Sequence, residues 1–369
     1  MKLSELFISN PDLRLAKAED NEGILEFFHS LPMAGKGLQL NYDRSPDFFA
    51  FLQFQSEDYF VFLLMMNNKI QGVGTLVIRP GFINGQETMV GYLGDLRIKP
   101  GKKNAVNWRK FYRDLLQKSS EIEEFQEVKY FETVVIDSNA AAKASLVMSK
   151  KSGYIYHELT PYKMINIYGK KPWSKVSNRY EVRMATANDQ KAMEVFWYQE
   201  ERKKQFGQPE LLAYALKNWD HFKFSDIVLA FDQGKIVGMS GLWIPETSKR
   251  IYIRNYPFTL SILTKFLRLR SSSFPKAGEE LRPLYMTHLN YHTPDVLTEL
   301  IQFILKLPRT SKYHMISLTG YDLARTEEGT AVFLSEKVPM TLYQVYNSEK
   351  PELKLCLNNS APGFEMALV

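Results

Sequence analysis

The sequence predicts a mixed α/β protein, in which one unit of mostly antiparallel sheet with flanking helices is present twice in tandem. Three observations carry this expectation. Four pairs of segments recur in the same order in the two halves. Within each half, apolar runs alternate with turn chemistry that suits a strand meander. After the meander, helical and strand patterns alternate. A chain of 369 residues also suits two domains better than one.

The recurring pairs are LRLAKAED (Leu13–Asp20) with VRMATAND (Val182–Asp189), and NNKIQGVGTL (Asn67–Leu76) with QGKIVGMSGL (Gln233–Leu242). Next come GYLGDL (Gly91–Leu96) with LYMTHL (Leu284–Leu289), and PYKMINIY (Pro161–Tyr168) with PMTLYQVY (Pro339–Tyr346). Any one pair could be coincidence, but a shared order points to duplication. The expected boundaries are a first unit over 11–168, a polar, proline-bearing linker over 169–178 and a second unit over 179–348. Their spacing is uneven because the second unit carries an insertion around 250–283.

In the first unit, the stretch after Asp20 is amphipathic and reads as helix. Phe60–Met66 is an apolar run, followed by Asn67-Asn68 and then IQGVGTLVI. Asparagine tolerates positive φ, so a hairpin is expected there, and a second at Asn84-Gly85. That second turn leads into TMVGYLGDLRI. A helix, the strand VKYFETVVI, a second helix from Asn139 and the strand YKMINIY follow. A helix between strands implies a right-handed crossover and a parallel pair.

Composition narrows the function classes. The charge of +6, from 47 basic and 41 acidic residues, is a weak case for nucleic acid. Cys356 is the only cysteine, so no intrachain disulfide and no cysteine metal site can form. The opening MKLSELFISN has no basic segment followed by an apolar core, so no signal peptide is expected. The longest apolar run, YFVFLLMM, is far short of a membrane span. The expected location is the cytoplasm. His288 and His292 are four apart, a spacing that aligns two ligands only on a helix. Their stretch reads as strand and loop, so no metal is expected.

The stretch YLGDLRIKPGKKNAVNWRKFYRDLL (Tyr92–Leu116) carries the most chemistry. Trp108, Phe111, Tyr112, Leu115 and Leu116 fall on one helical face. Asn104 reads as the N-cap, which places Gly101, Lys102 and Lys103 just ahead of a helix start. Free backbone N–H groups and the helix dipole favour an anion at such a place, and two lysines add charge. The other reading is a solvated basic face.

These motifs, in this order, resemble the GNAT superfamily of acyl-CoA-dependent N-acetyltransferases, as a tandem pair. LGDLRIKP (Leu93–Pro100) is similar to the family's fourth strand. Its phosphate loop, Arg/Gln-x-x-Gly-x-Gly/Ala, corresponds to Lys102, Lys103, Asn104, Ala105, Val106 and Asn107. Here lysine stands for arginine, alanine for the first glycine and asparagine for the last small residue. Asn139…Ala142 with Gly153-Tyr154 resembles a second family motif, with longer spacing and no tyrosine on the intervening helix. Ser145 and Ser149 lie where the family often places an acidic tyrosine. The resemblance implies direct transfer from acetyl-CoA, or another acyl-CoA, to an amine on a small molecule or peptide. It implies that the backbone at Leu96, Arg97 and Ile98 holds the pantetheine arm, with Asn139 part of the cofactor site.

Acyl transfer to an amine needs a base for the ammonium and an acid for the leaving thiolate. The candidates are Asp95 at a strand end, Glu132 on the next strand, and Tyr154. The bland readings are a strand-end cap, a solvent-facing carboxylate and a packing tyrosine. The second copy reads HLNYHTPDVLTEL at its equivalent junction. Thr293 caps, Pro294 takes the first helical position and Asp295 follows, so an acid already occupies the positive helix end. That copy is expected not to bind cofactor. Two other classes fit: a non-catalytic CoA-binding or scaffold protein, and a tRNA-dependent aminoacyl transferase of tandem GNAT fold. The basic patch KFLRLRSSSFPK (Lys265–Lys276) is the feature favouring the latter.

Overall fold

A computed structural model describes residues 1–31, 39–125, 128–147, 153–256, 275–320, 322–357 and 362–369. Ser149 and all of the basic patch before Pro275 lie outside these residues, as does the side chain of Ser145. The strands are β1 (Leu13–Leu15), β2 (Gln39–Asp43), β3 (Tyr59–Met66), β4 (Lys69–Ile83), β5 (Gln86–Ile98), β6 (Tyr130–Ile136) and β7 (Tyr154–Lys170) in the first half. Those of the second half are β8 (Glu181–Met184), β9 (Ile227–Asp232), β10 (Lys235–Trp243), β11 (Arg250–Asn255), β12 (Glu280–Leu281), β13 (Pro283–Tyr291), β14 (Met315–Gly320) and β15 (Phe333–Asn347).

Twelve of them form one sheet in the order β1-β3-β4-β5-β6-β15-β7-β14-β13-β10-β9-β8. The fold is thus a mixed sheet, mostly antiparallel, with parallel pairs at β5–β6 and β13–β14. The predicted hairpins form: Asn67, Asn68, Asn84 and Gly85 all take positive φ, as two-residue turns between right-twisted strands require. The sheet's two edges, β1 and β8, are three and four residues long. Edges this short offer little backbone to a foreign strand.

The two halves are joined by an exchange of final strands. β15, from the second half, lies beside β6 of the first, and β7 lies beside β14 of the second. β7 and β15 also pair with each other, with Tyr162 opposite Met340. The sequence repeat aligns these same two residues, so the pseudo-twofold axis of the sheet passes between them.

Further signatures show the duplication in three dimensions. Asp95 and His288, equivalent in the repeat, both sit in bulges at φ 52° and 50°. Arg14 grips Asp20 with two 2.6 Å hydrogen bonds, and Arg183 grips Asp189 at 2.8 and 2.7 Å.

Each half has an apolar core on one sheet face, under its long helix. The helix Lys102–Lys118 covers Phe62, Leu76 and Phe131, and the helix Pro294–Lys306 covers Val228, Leu284 and Ile316. The opposite face carries a shared core built from both halves, including Phe28, Phe51, Tyr92, Trp197, Trp219 and Trp243. Phe364 and Met366 of the segment 362–369 enter this core. That segment docks through a bridge between Pro362 and Gln205, and a Cβ on Gly363 would lie 2.5 Å from the Gly207 Cα. A three-stranded sheet, β12-β11-β2, joins the insertion of the second half to the first half.

Candidate functional site

β5 and β6 pair only from Val90–Tyr92 to Tyr130–Glu132. Beyond Tyr92, β5 bulges at Asp95 while β6 runs on beside β15. The two strands part into a fork, spanned at its base by Thr133 Oγ1 donating to Leu93 O at 2.7 Å. One side of the fork faces the start of the helix Lys102–Lys118. The other faces the shared core.

On the helix side, the start differs from expectation. Gly101, at φ 158° and ψ 133°, is the N-cap. This backbone suits glycine, so the helix begins at Lys102 and Asn104 falls within the first turn. Asn104 is buried and turns back, its Nδ2 donating to Lys99 O at 3.1 Å. Lys102 and Lys103 therefore sit inside the first turn, which has no acidic residue. Ala105 and Val106 are exposed.

The basic stretch divides by partner. Arg97 Nη1 donates to the carbonyls of Phe28 and Leu31, and the guanidinium lies over the Phe28 ring. Burial lowers its pKa to about 10. Lys110 and Arg113 pair with Asp114. Lys99, Lys102, Lys103 and Arg109 have no ion-pair partner among the described residues. Leu96 and Ile98 pack toward the helix-side core. Asn139 caps the short helix Ala140–Ala142, accepting from Ala142 N at 3.0 Å.

On the core side, two Arg–carboxylate pairs flank Tyr92. Arg44 meets both oxygens of Asp95, at 2.8 and 2.9 Å, and stacks 4.4 Å from the Phe51 ring centre. Arg79 Nη2 reaches Glu132 Oε1 at 2.9 Å, with Glu132 wholly buried. Burial outweighs Arg79 and raises the Glu132 carboxyl to about 7. Glu132 Oε2, Arg79 Nε and the Tyr162 hydroxyl are buried without hydrogen-bond partners among the described residues. Such orphans are rare and mark places where a water or ligand group completes the bonding. Phe364 packs on Tyr92 and Tyr162, with ring centres 6.2 and 5.3 Å away.

Of the three residues singled out for proton transfer, the structure gathers Asp95 and Glu132 around Tyr92. Tyr154 lies across the sheet in the helix-side core, packed against Tyr112 and Tyr156. Burial raises its hydroxyl to about 12. Glu132 was among the sequence candidates, whereas Arg79 was missed, although it is a lone charge inside the apolar strand β4. Arg44 and the segment 362–369 gave no such signal.

The second half supplies a position-by-position contrast. Glu132 lies opposite Tyr92, whereas Ser317 lies opposite the equivalent Tyr285. Ser317 spends its hydroxyl on Asn166 Oδ1 at 2.7 Å. At the second bulge, the His288 backbone N–H donates to Glu365 Oε2 at 2.8 Å. The following helix starts as expected, with Thr293 accepting from Val296 N, then Pro294 and Asp295.

The chain aligns with a structure of Saccharomyces cerevisiae N-myristoyltransferase with bound myristoyl-CoA and inhibitors, at TM-score 0.53 and 9% identity, over 91% of this chain and 80% of that one. A second structure of that enzyme, with bound myristoyl-CoA, aligns at TM-score 0.52 and 9% identity, over 91% and 83%. The chain has the two-lobed GNAT fold. A GCN5-related N-acetyltransferase from Anabaena variabilis also aligns, at TM-score 0.49 and 10% identity, over 95% of this chain and 75% of that one. No family model matches the chain, and no curated protein does. Among the described residues, no helix is long and apolar enough to cross a membrane.

Proposed function

We propose that this GNAT-fold chain is an acyl-CoA-dependent N-acyltransferase whose active site is the β5–β6 fork of the first half. One observation carries the reading: the fork lies between an anion-friendly helix start and a buried carboxyl with an oxygen unpartnered among the described residues, and the described residues of the second half have neither. The diphosphate of CoA sits at Gly101–Asn104, with Lys102 and Lys103 as counter-charges. The pantetheine arm runs along Leu96–Ile98. The amine acceptor enters from the shared-core side.

Glu132 is the base in this reading. A carboxyl with pKa about 7 takes a proton from an ammonium at neutral pH far better than an ordinary one. Asp95 has both oxygens on Arg44, so its part is to hold the bulge. Tyr154 packs behind the helix and takes no proton. The second half is a buttress, its bulge amide already bonded to Glu365.

Calorimetric titration with acetyl-CoA and with myristoyl-CoA tests this and orders the two chain lengths. The wild type should bind at least one of them, and Lys102→Glu/Lys103→Glu should weaken binding at least tenfold. Absence of binding by the wild type, or an unaffected double variant, would sink the proposal.

A further inference from the structure

One residue of the segment 362–369 walls the core side of the fork. Tyr92 and Glu132 are partners in the β5–β6 register, so their side chains leave the same face of the sheet. Arg79 ties them together, its guanidinium 5.6 Å from the Tyr92 ring centre and bonded to Glu132 Oε1. The Phe364 ring packs against the same Tyr92 and against Tyr162, with ring centres 6.2 and 5.3 Å away. Glu132 is 0% exposed, Tyr162 2% and Phe364 6%. An amine that reaches Glu132 Oε2 from this side therefore has to pass these rings.

The wall is fixed, because the residues on both sides of Phe364 are pinned. Gly363 N donates to Gln205 O at 2.7 Å, and a Cβ on Gly363 would lie 2.5 Å from Phe206 O. Glu365 Oε2 accepts from the His288 N–H of the second-half bulge at 2.8 Å, and its Oε1 accepts from Ala367 N at 3.1 Å. Two consecutive residues thus address opposite halves: Glu365 fastens the segment to the second, and Phe364 packs on Tyr92 of the first. Rings held in this way resist added volume, since overpacking drives neighbours off their rotamers.

We propose that Phe364 is the specificity-determining residue for the acceptor, and that the site takes slender, unbranched primary alkylamines and rejects amines carrying an aromatic ring beside the amino group. This rests on the acyl-CoA reading above. A methylene chain is the thinnest body that carries an ammonium past the rings of Tyr92, Tyr162 and Phe364. The ring faces also suit the charge, because a desolvated ammonium is attracted to them. An aryl group has no such passage while the Phe364 ring is in place. Removing that ring leaves an apolar hole between two tyrosines, which matches an aryl group in shape and chemistry.

The test uses acetyl-CoA as donor, ethylamine and benzylamine as acceptors, and thiol release as the readout. The quantity read is the ratio of kcat/KM for benzylamine to that for ethylamine. Comparing this ratio between variants cancels the difference in amine basicity. Wild type should favour ethylamine. Phe364→Leu and Phe364→Ala should each raise the ratio, the alanine variant by about tenfold or more; the leucine variant carries the test if the alanine variant does not fold. Phe333→Leu, in the helix-side core of the second half, controls for general loosening and should leave the ratio as in wild type. A ratio unchanged in both Phe364 variants, with both amines losing equally, would assign a structural role and overturn the proposal. So would a wild type that favours benzylamine, an equal rise in Phe333→Leu, or a wild type that binds acetyl-CoA yet transfers to neither amine. Failure to bind acetyl-CoA in calorimetry would remove the underlying reading, and this proposal with it.

Discussion

Replacing either member of the Arg44–Asp95 pair asks whether Asp95 holds the bulge or moves protons. The side chains are only 8% and 15% exposed, and both carboxylate oxygens are engaged. Asp95→Asn leaves a buried guanidinium without its counter-charge, a change that costs about 3–5 kcal/mol. The residual exposure places this pair near the low end, about 3 kcal/mol. Asparagine tolerates the φ of 52°. Asp95→Ala does not tolerate it as well, and should cost about 1 kcal/mol more. Arg44→Met strands the carboxylate and should cost a similar amount. The double variant Arg44→Met/Asp95→Asn removes the stranded charge, so its loss should fall short of the sum by about 2 kcal/mol. Urea unfolding, followed by fluorescence and by circular dichroism to check coincidence of the transitions, measures all four. A coupling below about 0.5 kcal/mol, with Asp95→Asn near wild-type stability, would refute the clamp and return Asp95 to the list of bases.

Other expectations follow from the same geometry. Glu132 and Glu365 are both raised to about 7 by burial, from an ordinary 4.5. Between those values the folded chain holds protons that the unfolded chain has lost. Their contribution to stability therefore falls as pH rises from 4.5 to 7, by at most about 3 kcal/mol per group. The drop in urea midpoint between pH 5 and pH 7.5 should shrink in Glu132→Gln/Glu365→Gln; an unchanged drop would contradict the assignment. Phe364→Ala empties a buried site between Tyr92 and Tyr162 and should cost about 3–5 kcal/mol, read as a lower urea midpoint; a loss under 1 kcal/mol would mean that the segment 362–369 is not anchored there. Gly74→Ala would put a Cβ 2.5 Å from Trp108 Cζ2, and should cost about 1–3 kcal/mol through overpacking; wild-type stability would show that the helix shifts freely.

What could be read from the sequence was local. The asparagine and glycine turns at 67–68 and 84–85 follow from positive φ, a property of single residues. Thr293-Pro294 fixes a helix start by chemistry confined to two positions. Asn104 misled because its capping preference is real, but a glycine three residues earlier could take a backbone conformation that starts the helix sooner. The exchange of β7 and β15 was hidden for a different reason. The two strands carry one pattern, so either can complete either half, and pairing is decided by the whole sheet. The site divides the same way. Glu132 and Arg79 stand out as charges in apolar strands. Arg44 comes from an irregular segment, where a charged residue is ordinary until tertiary packing buries it.

The most direct measurement is a structure of the chain with CoA bound. The diphosphate should lie against the backbone N–H groups of Gly101–Asn104, with the pantetheine between β5 and β6 and its sulfur beside the Asp95 bulge. CoA between β13 and β14 of the second half, or on the protein surface away from the fork, would contradict the account.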